Sequence, residues 1–320
     1  RCSCKKNKEL YKMNIFEVKK EEYKTFVVNP FSGFDTIDFI ELNKHKVRDV
    51  KYFIFENNKK RFGLVGGIKD GILKFPFSAT FSCLSEIAHN NKISHYHDAI
   101  KNLIDWSKFS NIKTIRFNTP PVFYNSSHIT KLQNALFCNG FKLLDYDVNF
   151  QFKLEQYDNY DSIINTDSRR NLKIAAKNNL TIEKSDDVSK VYEIIKINRE
   201  EKNFPLWMSE NDIINTANII KSDYFLIKNE NEYIASAYIQ HITKNIVNVV
   251  YWGNLQKYDK QYPMNFLAKN IFEYYSKQKN IEYISIGTST LDSNPNFGLC
   301  DFKESIGCNC CPKLNFYLDI

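Results

Sequence analysis

The side chains with most to offer chemically lie in the second half of the chain. In "TDSRRNLKIAAKNN", residues 166–179, a helix carries Arg169 and Arg170 in its first turn, where fixed cations oppose the positive end of the helix dipole. With Thr166, Asp167 or Ser168 as N-cap, Arg169, Lys173 and Lys177 recur at i, i+4 and i+8 and form a continuous basic stripe, apart from a face of Leu172, Ala175, Ala176 and Asn179. Such a stripe either meets a phosphate or carboxylate of a substrate or is a solvated face screened by Asp161 and Asp167. In "DVSKVYEIIKINREEKNF", Arg199 continues the apolar stripe of Val188, Val191, Tyr192 and Ile195, so it either snorkels past the core or aims into a cleft.

Further along, "VYWGN" closes a strand in which Tyr251 and Trp252 point to opposite faces. "IGTS" closes another, and "NPNFGL" opens a helix that includes Lys303. Ser289, Asn296 and Lys303 are therefore either caps and surface groups or contacts to a ligand's polar atoms. His95 and His97 stand two apart before a helix without a third ligand, so capping or surface roles fit them better than a metal. Cys83, Cys138 and Cys300 are isolated, and neither "CSC" nor "CNCC" has a second pair at zinc-binding spacing. Reduced thiols are expected and no metal; a site built from Cys2, Cys4 and the 308–311 cluster is the minor alternative.

The elements around these residues have a repeated order. "KVRDVKYFIFENN" and "RFGLVGGIKDGILKFPF" alternate at period two and predict antiparallel strands; helix, strand, helix and strand then follow through "ITKLQNALFCNGFKLLDYDVNFQFKL". The order returns in "FLAKNIFEYYSKQKNIEYISIGTS" and "FGLCDFKESIGCNCCPKLNFYLDI", with Ser107-Lys108, Asn111-Ile112 and Ile115 falling on Ser276-Lys277, Asn280-Ile281 and Ile284. A duplicated α+β unit of roughly 150 residues is the economical reading. Its copies are placed at 13–154 and 155–320, with the boundary in the polar stretch 155–162 and residues 1–12 set aside as a leader, upstream or artificially added, ahead of Met13.

Composition narrows the function. The 320 residues are 43% hydrophobic, so a sizeable core is available, and the net charge of +7 suits a phosphate-bearing ligand without amounting to a nucleic-acid footprint. Abundant Asn, Lys and Ile beside only 10 Gly and 8 Pro point to AT-rich, bacterial coding. No apolar run reaches the roughly 18 residues of a membrane span and no secretory segment is visible, so a soluble cytoplasmic protein is expected. The absence of G-x-G-x-x-G and G-x-x-x-x-G-K excludes Rossmann and P-loop nucleotide sites.

The tandem order, "SRRNLKIAAKNN", "NREEKNFPLWMS" and "ISIGTSTLDSNPNFGLCDFKESIG" together resemble the FemAB-like branch of the GNAT acyltransferase superfamily, over about residues 13–320. The resemblance implies two GNAT-like domains, each a mixed, mostly antiparallel sheet flanked by helices. It places the acyl donor and acceptor in the cleft of the C-terminal copy. The implied donor is acyl-CoA, acetyl-CoA first, and the implied acceptor an amino group of a nucleotide-linked sugar or cell-envelope precursor. Under that chemistry the amine attacks the thioester directly and Tyr251 is the candidate acid that returns a proton to sulfur. Trp252, Tyr262, Met264, Asn265, Ser289 and Asn296 are candidate donor contacts; Arg169, Arg170, Lys173, Arg199, Trp207 and Lys303 are candidate substrate contacts. The sequence departs from the family where two glycines of the phosphate loop are expected and Tyr262 and Met264 stand instead; Pro263 still suits a first helical position. Aminoacyl-tRNA-dependent transfer, the FemABX reaction, is the enzymatic alternative, although no long helical arm or polybasic block is present. A non-catalytic binding module is the other.

Overall fold

A computed structural model describes residues 13–230 and 232–320. The Cys2 and Cys4 alternative and the expected leader lie outside the described residues. The chain divides into two compact units, one running to Asp147 and including Cys311–Ile320, the other Val148–Cys310. Both are α+β.

In the first unit, β1 (Asn14–Val18), β2 (Asp49–Glu56), β3 (Lys60–Lys69) and β4 (Ile72–Phe75) pair antiparallel in succession. β4 then lies parallel to β6 (Thr114–Asn118), and a two-residue strand β5 (Ser85–Glu86) pairs with β3. Helices α1 (Lys20–Phe26), α2 (Ile37–Asn43), α3 (Ile93–Phe109) and α4 (Ser126–Cys138) supply apolar stripes; that of α3 is Tyr96, Ala99, Ile100, Leu103 and Ile104, all buried. His95 Nδ1 accepts the Lys92 N–H at the start of α3, and His97 Nε2 lies 2.9 Å from Asn134 Oδ1, so both work locally.

β7 (Lys142–Lys153) carries the chain across the division. The second unit continues with α5 (Tyr160–Ile163), α6 (Thr166–Lys177), β8 (Thr181–Lys184), α7 (Val188–Glu201), α8 (Glu210–Ala217), β9 (Ser222–Lys228), β10 (Tyr233–His241) and β11 (Ile246–Asn254). After these come α9 (Pro263–Ser276), β12 (Tyr283–Thr288), a small hairpin β13 (Thr290–Leu291) and β14 (Asn294–Pro295), and α10 (Phe297–Ser305). Strands β8, β9, β10 and β11 are antiparallel neighbours, β11 is parallel to β12, and β12 is antiparallel to the second half of β7. Each unit contains a parallel strand pair among the described residues, β4 with β6 and β11 with β12, in keeping with a duplicated fold. Phe152 stacks on Phe272 at 4.1 Å at the centre of the larger core cluster of the second unit, and a second cluster of Val191, Ile194, Ile195, Tyr238 and Tyr251 lies under α7.

The observed division differs from the boundary read at 155–162. The last strand, β15 (Asn309–Asp319), pairs with β6 from Asn315↔Asn118 to Asp319↔Thr114 and so returns the C-terminal residues to the first unit. A pairing between segments so distant in sequence leaves no local period to detect. One helix start also shifts: Asn165 Oδ1 accepts the Ser168 N–H at 2.8 Å, so Asn165, not Thr166, Asp167 or Ser168, caps α6.

Candidate active site

The parallel ladder between β11 and β12 is short. It pairs Ile246, Val247 and Asn248 with Tyr283, Ile284 and Ser285, after which the register ends although β11 continues to Asn254 and β12 to Thr288. The strands therefore part within the second unit and leave a notch whose edges are backbone. Gly287 borders it with φ +72, and a Cβ there would meet nothing within 4 Å, so the chain passes open space at this point.

Lys303 projects from α10 to the β12 side of the notch. It is only 2% exposed, and its Nζ donates to the carbonyls of Gly287 at 2.9 Å and Thr288 at 3.0 Å. Among the described residues no carboxylate forms an ion pair with it, and the Phe150 ring lies 5.3 Å away. Burial pushes the amine down to about 7; the Cys308 and Cys300 thiols pull the other way, and the Arg199 charge adds to the fall. An amine that exchanges its proton near neutrality, with two N–H bonds held by carbonyls, keeps one direction for a lone pair or a third proton. That is the equipment of an acid–base group.

Arg199 and Tyr251 occupy the β11 side. The Arg199 guanidinium lies 5.1 Å from the Tyr251 ring and 5.8 Å from the Phe204 ring, and its Nε is buried without a hydrogen-bond partner. A guanidinium held by aromatic faces and with an unused donor is prepared for an anion. Tyr251 Oη accepts the Trp207 N–H at 3.3 Å, and burial raises its pKa, so the phenol keeps its proton at neutral pH. The Trp207 ring itself is 82% exposed. Two residues overlooked in the sequence fix this side. Asn198 Nδ2 donates to the Asn254 carbonyl at 2.6 Å, and a Cβ on Gly253 would stand 2.3 Å from Asn198 Oδ1, so only glycine lets α7 lie this close to β11.

The remaining candidates separate by whether their polar atoms already have partners. Ser289 is 3% exposed; its N–H donates to the Val148 carbonyl, its carbonyl accepts the Asn296 N–H, and its Oγ is buried without a partner. Asn296 caps α10, accepting the Leu299 N–H at 3.0 Å. Asn265 is spent on packing: its Nδ2 donates to Ser168 Oγ at 3.1 Å, and Ser168 Oγ in turn donates to Ser305 Oγ at 3.0 Å, tying α9 to α6 and α10. Trp252 packs against the larger core and meets Phe302 edge-on at 6.1 Å, and Met264 packs against the same cluster. Tyr262 holds φ 52 at the start of α9, which is the left-handed conformation a glycine would supply, and no side chain caps the helix.

The basic helix start finds its partners internally. Arg169 Nη1 donates to the Asp161 and Ile164 carbonyls, both at 2.9 Å, and Nη2 to Thr166 Oγ1, so this guanidinium closes the end of α5; Arg170 pairs with Asp167 at 3.1 Å and Lys173 is exposed. Among the described residues no group of three His, Cys, Asp or Glu is arranged to hold a metal ion, and no helix is long and apolar enough to cross a membrane.

No family model and no curated protein matches the sequence. Solved structures do. A crystal structure of FemX is similar with TM-score 0.68 and 12% identity, covering 96% of this chain and 97% of that one. The structure of L-PGS from Bacillus licheniformis gives TM-score 0.59 and 12% identity over 94% of this chain and 91% of its own. A tandem GNAT protein from the clavulanic acid biosynthesis pathway gives 0.50 and 5% over 96% and 98%. At these identities it is the backbone that is shared: the chain has a FemAB-like tandem GNAT fold.

Proposed function

We propose that the chain is an acyltransferase that carries an acyl group to an amine at the notch between β11 and β12. The observation that carries this reading is Lys303, a buried amine without an acidic partner, titrating near neutrality at the place in the second unit where a parallel strand pair opens. An acceptor amine reaches the site largely as its ammonium and must lose a proton before it can attack a carbonyl. The Lys303 lone pair can take that proton, and the resulting ammonium or the Tyr251 phenol can return one to the leaving group. Arg199, held between Tyr251 and Phe204, suits a carboxylate or phosphate of the substrate. The exposed Trp207 ring offers a face to a sugar or an extended chain.

The donor in this reading is a thioester, acyl-CoA first. Tyr262 reproduces the backbone conformation of the missing loop glycine, and the uncapped start of α9 leaves N–H groups suited to phosphate oxygens. When bound, the thioester supplies an activated carbonyl; the chain's own residues orient it and move protons. Arg169, Arg170 and Lys173 stay in the proposal only as outlying contacts, since Arg169 and Arg170 already have partners. The acceptor is an amino group on a nucleotide-linked sugar or envelope precursor, and the setting is the bacterial cytoplasm. Aminoacyl-tRNA is the rival donor, favoured by the similarity to FemX.

The test is to incubate the protein with each donor class and a panel of amino sugars and envelope precursors, following product by mass. Transfer that survives RNase and is lost in Lys303→Met supports the thioester reading, and RNase-sensitive transfer supports the rival. A folded protein that transfers from neither donor overturns the assignment.

A further inference from the structure

Cys300 stands one turn before Lys303 on α10 and has no part in the chemistry above. Its Sγ lies 3.9 Å from the Ser289 carbonyl oxygen, while Lys303 Nζ holds the carbonyls of Gly287 and Thr288. Thiol and amine therefore reach three consecutive carbonyls at the end of β12, side by side on one face of the helix. Ser289, the residue whose carbonyl the thiol touches, also carries a hydroxyl that is buried with no partner. Cys300 is partly accessible, whereas Cys308, the other thiol that Lys303 feels, is buried. A thiol becomes a nucleophile when a neighbouring base removes its proton, and Lys303 is that neighbour.

Building on the acyl-transfer reading, we propose that Cys300 is an acyl carrier, its sulfur receiving the acyl group from the donor and passing it to the acceptor amine. In the first half-reaction the Lys303 amine takes the thiol proton and Cys300 Sγ bonds to the donor's carbonyl carbon. The bond from that carbon to the donor's leaving atom breaks, and the leaving group departs with the proton from Lys303. In the second, the acceptor nitrogen bonds to the carbonyl carbon of the Cys300 thioester and the carbon–sulfur bond breaks. The surplus proton of the amine passes through Lys303 to the sulfur. Each half exchanges one bond to the acyl carbon for another, so no oxidant or reductant takes part.

The full chain treated with p-nitrophenyl acetate tests this without knowledge of the natural donor. The expected result is acetyl on Cys300, labile to hydroxylamine, forming at least tenfold faster than on the exposed Cys138 and Cys310, and slowed about tenfold in Lys303→Met. The protein-dependent part of hydroxamate formation, above the direct reaction of hydroxylamine with p-nitrophenyl acetate, should fall at least tenfold in Cys300→Ala. Acetyl found only as a hydroxylamine-stable amide on Lys303, or undiminished transfer by a folded Cys300→Ala, overturns the carrier role and leaves direct acyl transfer standing. Should Cys300→Ala fail to fold, the site of labelling in the wild-type chain decides alone.

Discussion

Asn198 Oδ1 occupies the space a Cβ on Gly253 would need, 2.3 Å from its ideal position. The last turn of α7 thus rests on the backbone of β11, and Arg199, the next residue, is carried to the Tyr251 ring. Gly253→Ala should force Asn198 outward, costing about 1–3 kcal/mol of stability by overpacking, and should weaken substrate binding through Arg199. Urea melts and KM report the two effects. Asn198→Ala in the Gly253→Ala background should recover part of the lost stability, because the contacts with Oδ1 and Cγ are then gone and only the one with the residue 198 Cβ, at 2.9 Å, is left.

Lys303 makes stability depend on pH in a direction opposite to that of a salt-bridged lysine. Its folded pKa is about 7, below the unfolded 10.5, so between these values the unfolded chain holds more protons and stability rises with pH. The slope approaches about 1.4 kcal/mol per pH unit at most. Melts of the wild type from pH 6 to 10 should show this rise, and Lys303→Met should flatten it while raising stability at pH 6. A slope unchanged by the substitution would mean that Lys303 does not titrate near neutrality.

Asp223 works with the opposite sign. Although burial opposes its charge, the donors His241 Nε2, Lys184 Nζ and Tyr275 Oη hold its carboxyl well below the usual carboxylate range. The stabilisation is present above about pH 4, the unfolded value, and lost as pH falls below it. Asp223→Asn should cost on the order of 2 kcal/mol at pH 7, and that cost should shrink only gradually below about pH 4, vanishing once pH falls through the depressed folded value, as acid-titrated melts would show.

The two arginines of α6 should separate. Arg169→Ala removes three donations at the α5–α6 junction and should cost about 1–2 kcal/mol. Arg170→Ala breaks a single exposed ion pair and should stay within about 0.5 kcal/mol. A large KM rise in Arg170→Ala with stability unchanged would instead place an anion there.

Much of this site was legible because it lies on strongly periodic elements. Alternation in "VYWGN" sends Tyr251 and Trp252 to opposite faces, and the structure packs each against a different apolar cluster, while Arg199 at the end of the α7 stripe meets the ring of Tyr251. Lys303 was visible only as a polar contact, since nothing local states that its amine would be sealed from water. The available signal was that Cys300, Lys303 and Ile306 share a helix face, which puts a lysine in an otherwise apolar row. Gly253 and Asn198 escaped notice because their roles depend on how closely separate elements approach. Arg169 reads as a ligand contact in sequence because its carbonyl partners, Asp161 and Ile164, belong to a helix of four residues too short to show a period.

The most direct measurement is the rate of acyl transfer to an amine acceptor against pH, in the wild type and in Lys303→Met. A rise governed by a group titrating near 7, absent from a folded Lys303→Met whose rate falls at least a hundredfold, is the expected result. Transfer of undiminished rate in Lys303→Met, with the same pH profile, would contradict the role assigned to this amine and move the chemistry elsewhere.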